Sequence, residues 1–161
     1  MSKKYFEVHT VKTDFSVLSG AVGRALNASM KGSVAGVFAE NLIAELHPEL
    51  NQITQGKGHD YATPNGKLVE SKTVTARGLK TGQSGSYGMG RKKPTREVFE
   101  QQSSAIDFAI SDSTKLITEG IFEYVFVPGT HVAKLNSSLN YKKAHAEYFS
   151  GKHEPIDITS W

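Results

Sequence analysis

The chain has 161 residues, 38% of them hydrophobic and 9% aromatic, which is enough for one buried core and too little for two ordinary domains. The formal charge of +3 and pI of about 9.0 suit a polyanionic partner without requiring one, and 22% charged residues argue against general disorder. The absence of cysteine excludes disulfides, cysteine-ligated zinc and a thiol nucleophile.

The start, Met1-Ser-Lys-Lys-Tyr-Phe-Glu7, lacks an apolar signal core, and no stretch approaches the roughly 20 apolar residues that span a bilayer. The expectation is a soluble cytoplasmic protein with no membrane partner. Residues 16–47 repeat small and large apolar residues at helical spacing, with Ser16 as cap and Pro48 as stop. Glycines at 20, 23, 32 and 36 argue for two helices meeting near Met30–Ser33, since each glycine costs about 1 kcal/mol against alanine within a helix. Over Val34–Leu46, Ala35, Phe38, Ala39, Leu42, Ile43 and Leu46 fall on one apolar stripe.

Residues 48–59 are polar and read as a loop. Pro64-Asn65-Gly66 is a strong turn signal, so a hairpin centred there places Asp60 on or beside one strand and Glu70 on the next. From Leu68 to Thr75 the β-branched content predicts a strand. Its alternation puts Leu68, Glu70, Lys72 and Val74 on one face. Arg77–Pro94 contains five glycines and five basic residues, Arg77, Lys80, Arg91, Lys92 and Lys93, with no acid. It reads as a flexible basic loop.

A helix is predicted from Thr95 to about Ile110, with room for a break, and a short turn over Asp112–Glu119. Ile121–Val127 is the strongest strand, followed by the turn Pro128-Gly129 and a weaker strand through His131 to Leu135. Leu139–Phe149 reads as a helix carrying Lys142, Lys143 and His145. No internal repeat or low-complexity segment occurs. The expected organisation is one domain over 1–161, with a core at about 34–135 and a C-terminal helix at about 139–149.

One local pattern carries chemistry. Glu70-Ser-Lys72 is the only case in the chain of an acid two places before a lysine, and Asp60 precedes it by ten residues. Mg²⁺ prefers oxygen ligands, takes one or two protein carboxylates and keeps several waters, which Asp60 and Glu70 can satisfy. Lys72, on the same strand face as Glu70, is placed to polarise an attacking water or to stabilise charge on a phosphate. The six histidines, at 9, 47, 59, 131, 145 and 153, show no close metal-ligand spacing and read as structural or surface residues. His59, beside Asp60, is the one that could touch a scissile phosphate. No Walker loop, Gly-x-Ser-x-Gly or His-Glu-x-x-His is present.

The spacing of Asp60, Glu70 and Lys72 resembles the PD-(D/E)xK nuclease superfamily, and within it the small type II restriction endonucleases. His59 stands where the superfamily's name motif has proline. Gly36-Val-Phe-Ala-Glu40, continuing to Leu46, is similar to the glycine, glutamate and apolar arrangement of that superfamily's first core helix. The resemblance spans about residues 34–76. It implies an α/β fold with a restriction-endonuclease-like core, a mixed sheet flanked by helices. It also implies a Mg²⁺-dependent endonuclease, with Mn²⁺ as the alternative ion, acting on double-stranded DNA as a homodimer. On this resemblance Asp60, Glu70 and the Ser71 carbonyl hold the metal, Lys72 assists the water and Glu40 joins the site, with Glu45 as competitor. Arg77, Lys80, Arg91, Lys92 and Lys93 then grip phosphates. A junction resolvase, a homing or repair nuclease, a non-catalytic DNA-binding module and a structural interaction protein are the alternatives.

Overall fold

The computed structural model describes residues 3–13, 33–53, 59–82 and 95–161. The apolar run Ile121–Pro128 forms strand β8, whose alternation sends Phe122, Tyr124 and Phe126 to one face and Val125 and Val127 to the other. Antiparallel to it lies β7 (Asp107–Asp112), with Phe108 opposite Val127 and Ile110 opposite Val125. β5 (Leu68–Val74) runs parallel to β7, with Glu70 opposite Phe108 and Lys72 opposite Ile110. The short strands β4 (Tyr61–Ala62) and β3 (Asn51–Gln52) follow, each antiparallel to its neighbour.

The other edge of β8 is shared by two N-terminal pieces, parallel β1 (Lys4–Tyr5) and antiparallel β2 (His9–Lys12). Phe6 stands where the chain reverses between them, at a left-handed φ of 62°. β10 (Ile156–Asp157) pairs with β1 and closes the order β10-β1-β8-β7-β5-β4-β3. A separate ribbon joins β6 (Leu79–Lys80) to β9 (Ser138–Leu139).

Helices cover both faces. Ala39 and Ile43 of α1 (Ser33–Leu46) pack on Val69, Ala109, Phe122 and Phe126, and Leu116 of α3 (Leu116–Glu119) joins them. On the opposite face α2 (Arg96–Ser104), α4 (Gly129–Val132) and α5 (Tyr141–Tyr148) bring Phe99, Val132, Ala144 and Tyr148 against Val74, Phe108, Ile110 and Val127. The fold is therefore α/β, a mixed sheet flanked by helices, as expected. Among the described residues no helix is long and apolar enough to cross a membrane.

Several local expectations are corrected. The helix after Thr95 ends at Ser104, and Asp107–Asp112 is a strand buried along its whole length. Its polar ends are compatible with burial because hydrogen-bond donors satisfy them. Asp107 accepts from Tyr5 Oη at 2.6 Å, Trp161 Nε1 at 2.8 Å and Gly129 N at 3.2 Å. Asp112 accepts from Thr114 N at 2.9 Å and Thr114 Oγ1 at 2.6 Å. The segment from His131 to Leu135 is not a strand. Ala133 N bonds Gly129 O at 2.9 Å and Leu135 N bonds Val132 O at 3.1 Å, a helical pattern. The Arg96 guanidinium caps that turn, donating to the carbonyls of Leu135 and Ala133.

Leu46, assigned to the apolar stripe, is 42% exposed, whereas Ala35, Ala39 and Ile43 are buried. The polar stretch after Pro48 contains β3 rather than loop alone. The expected helix before Met30 lies outside the described residues, as do residues 83–94 of the basic loop predicted over Arg77–Pro94.

Candidate active site

The site begins with the turn. Gly66 takes φ 81°, its N–H bonds Thr63 O at 2.9 Å, and Thr63 N bonds Lys67 O at 2.9 Å. This sets the register Tyr61 opposite Val69, which places Asp60 across from Glu70. β4 ends after two residues, so β5 from Glu70 onward leaves one edge unpaired with β4, while β7 bonds the other edge through Val74.

Asp60 uses that open edge, its Oδ2 accepting the Ser71 N–H at 2.7 Å. The N–H and C=O of one strand residue leave on the same edge, so the Ser71 carbonyl faces the same opening. Strand alternation puts Glu70 and Lys72 together, with Lys72 Nζ 2.8 Å from Glu70 Oε1. His59 Nδ1 lies 3.2 Å from the other oxygen, Oε2. Glu70 is 5% exposed, and these two partners make its burial tolerable.

Glu40 comes from the opposite layer. The buried Tyr61 donates its hydroxyl to the Glu40 carbonyl at 2.7 Å and so fixes α1 against the hairpin. Glu40 lines this opening, whereas Glu45, about 140° further round the helix, is exposed and is not among the lining residues. Beyond β5 a tight turn closes through Thr75 N to Gly78 O at 3.0 Å. Gly78 has φ +109°, and a Cβ there would stand 2.0 Å from the Leu139 carbonyl oxygen, so only glycine lets the turn pass under β9.

These pieces bound a cleft of about 510 Å³ lined by Glu40, Asp60, Glu70, Lys72, Arg77 and Lys80, with Ser71 at its edge. Seven residues singled out from the sequence thus come together. Arg91, Lys92 and Lys93 lie outside the described residues. Gly36, the glycine of the helix pattern, also lines the cleft, together with Val37, Thr73 and Thr75, which carry no sequence signal of their own.

Negative charge is crowded around Asp60. Burial pushes the Asp60 carboxyl up to about 6, and the Glu70 and Glu40 carboxylates add to this. The Ser71 N–H and Lys72 oppose the shift without cancelling it. Crowded carboxylates of this kind, with a strand carbonyl beside them, are the hard oxygen donors that suit Mg²⁺, so the residues fit that ion. The oxygens of the three carboxylates do not all lie within 4.8 Å of one another, and each group has its own partner: Gln52 Nε2 donates to Glu40 at 3.2 Å, Ser71 N to Asp60 and Lys72 Nζ to Glu70.

Among the described residues the set of His and carboxylate groups whose ligand atoms all lie within 4.8 Å is instead His131, Glu147 and His153. Sequence spacing did not mark it, because the three sit on separate segments that only the tertiary fold unites.

Fold and cleft together define a mixed α/β protein with a carboxylate–lysine site at an open sheet edge. Compared with protein-family profiles, curated proteins and solved structures, the chain matches none.

Proposed function

We propose that this protein is a Mg²⁺-dependent endonuclease of restriction-endonuclease-like type that hydrolyses phosphodiester bonds of double-stranded DNA. The observation that carries the reading is the convergence of Asp60, Glu70, Lys72 and Glu40 on one cleft rimmed by Arg77 and Lys80. Hydrolysis joins a water oxygen to phosphorus and breaks one phosphorus–oxygen ester bond, and the leaving oxygen takes up a proton. Mg²⁺ held by Asp60, Glu70 and the Ser71 carbonyl would supply Lewis-acid polarisation of the phosphoryl group and a more acidic water.

The protein's own groups do the positioning. Glu70 holds the Lys72 ammonium at 2.8 Å, and Lys72 presents it to the attacking water and to charge developing on phosphate. Glu40 offers a carboxylate oxygen from the opposite layer to order a water. Arg77 and Lys80 are exposed at the rim, where backbone phosphates of a polyanion would lie. A homodimer, one such cleft per strand, is the simplest way for a small nuclease to cut both strands. Digestion of a long natural duplex with Mg²⁺ tests the reading. Discrete fragments are expected, and cutting confined to branched DNA would assign the same chemistry to a junction resolvase.

A further inference from the structure

A second constellation lies on the far side of the fold. His131 sits on α4, Glu147 on α5 and His153 on the segment that leaves α5 toward β10. Nε2 of His131 and Nε2 of His153 approach the same carboxylate oxygen, Glu147 Oε1, at 2.9 and 2.7 Å. Lys152 Nζ takes the other oxygen at 2.8 Å. The side chains are 21%, 11% and 26% exposed for His131, Glu147 and His153, so the cluster is sheltered yet reachable.

Packing fixes the rings. Phe6 stands against both imidazoles, with centroids 5.0 Å from His131 and 4.7 Å from His153, and the two imidazoles meet edge to face at 77°. Phe6 reaches this place through its left-handed φ of 62°, a conformation that a bulky residue adopts only at a cost.

We propose that His131, Glu147 and His153 form a metal site separate from the carboxylate–lysine cleft, taking a divalent ion of the Zn²⁺ class and clasping the C-terminal segment to the body of the protein. Two imidazole nitrogens and one carboxylate oxygen select such an ion over Mg²⁺. Tetrahedral Zn²⁺ with bonds of about 2.0–2.1 Å separates its ligand atoms by about 3.3 Å. The observed 2.9 and 2.7 Å therefore widen by about 0.4–0.6 Å on binding, and all three ligand atoms already lie within 4.8 Å of one another. The fourth position is left to water from the adjoining hollow beside Phe6, His153 and Glu154. The ligands come from three segments, and the last leads to β10 and to Trp161, which donates to buried Asp107. The ion would thus pin the strand at the sheet edge and its C-terminal anchor.

The test uses the full chain stripped with a chelator and titrated with Zn²⁺, and separately with Co²⁺ read by its visible ligand-field absorption. Wild type is expected to retain about one ion per chain after gel filtration, to give the Co²⁺ spectrum of an N/O site, and to melt at higher temperature with Zn²⁺. His153→Asn, on the exposed segment, and Glu147→Gln should lose the ion, whereas Asp60→Asn should keep it. Excess Mg²⁺ should not displace it. Failure of wild type to retain Zn²⁺, or retention undiminished in folded His153→Asn and Glu147→Gln, would overturn the proposal.

Discussion

Asp60 accepts the backbone N–H of Ser71 at 2.7 Å, and that bond ties the first acid of the cleft to the strand that carries the second. β4 is too short to hold Asp60 by regular pairing beyond Tyr61. The bond and the crowding by Glu70 and Glu40 act in opposite directions on the same carboxyl. The hairpin thus keeps an acid in a place that costs it stability, which is the arrangement expected where a cation is to be received.

Burial, with the Glu70 and Glu40 carboxylates, holds the Asp60 carboxyl up to about 6, above the ordinary 3.8 of an aspartate. In that window the folded chain binds more protons than the unfolded one, so this group lowers stability as pH rises and its cost is complete above about 6. Asparagine keeps an oxygen for the Ser71 N–H without the charge. Discounted for the solvent that reaches the carboxyl, metal-free Asp60→Asn is expected to gain about 1–2 kcal/mol over wild type near neutral pH. The gain should vanish as pH falls to the ordinary aspartate value of 3.8. Urea unfolding across this range measures it, and a gain independent of pH would contradict the crowding.

His47 carries the opposite sign. Burial, then Lys3 and His9, lower it from 6.5 to about 4, and its Nε2 lies 2.7 Å from the Tyr124 hydroxyl. The unfolded chain binds more protons in that interval, so this group's contribution is lost as pH falls from 6.5 toward 4. His47→Gln should flatten the acid limb of the stability curve by about 1 kcal/mol after solvent discount. A wild-type acid limb as steep as that of the variant would refute the assignment.

Gly78→Ala forces a Cβ against the Leu139 carbonyl at a φ of +109°. A loss of about 2–4 kcal/mol is expected in denaturant unfolding, because neither backbone can yield cheaply. Stability within about 0.5 kcal/mol of wild type would show that the turn under β9 adapts.

Asp107→Ala strands the donors of Tyr5, Trp161 and Gly129 around a buried void. A loss of about 3 kcal/mol or more follows, together with a change in Trp161 fluorescence as the C-terminal anchor is released. An unchanged fluorescence spectrum would mean that Trp161 is held by Tyr5 and Phe126 alone.

The hairpin was legible because its parts are local. Pro64-Asn65-Gly66 fixes the turn, strand alternation joins Glu70 to Lys72, and the aromatic and β-branched run Ile121–Val127 reads as a strand. Glu40 was a candidate only through the resemblance of Gly36–Leu46 to a core helix of the nuclease superfamily, with Glu45 left open by the helix phase. β7 was not legible, because Asp107 and Asp112 depress its strand propensity and their partners come from remote positions. The helical turn over Gly129–Leu135, read as a strand from His131, was hidden for a similar reason, since the Arg96 cap lies on another helix. His131, Glu147 and His153 read as unrelated residues until α4, α5 and the final segment converge.

Cleavage of supercoiled plasmid in Mg²⁺ by wild type, Asp60→Ala and Lys72→Ala, each checked for folding by circular dichroism, tests the central claim most directly. Wild type should linearise the plasmid, and each folded variant should lose activity by about 100-fold or more. Undiminished cleavage by both variants, or a folded wild type that cuts under no divalent ion, would contradict the assignment of this cleft.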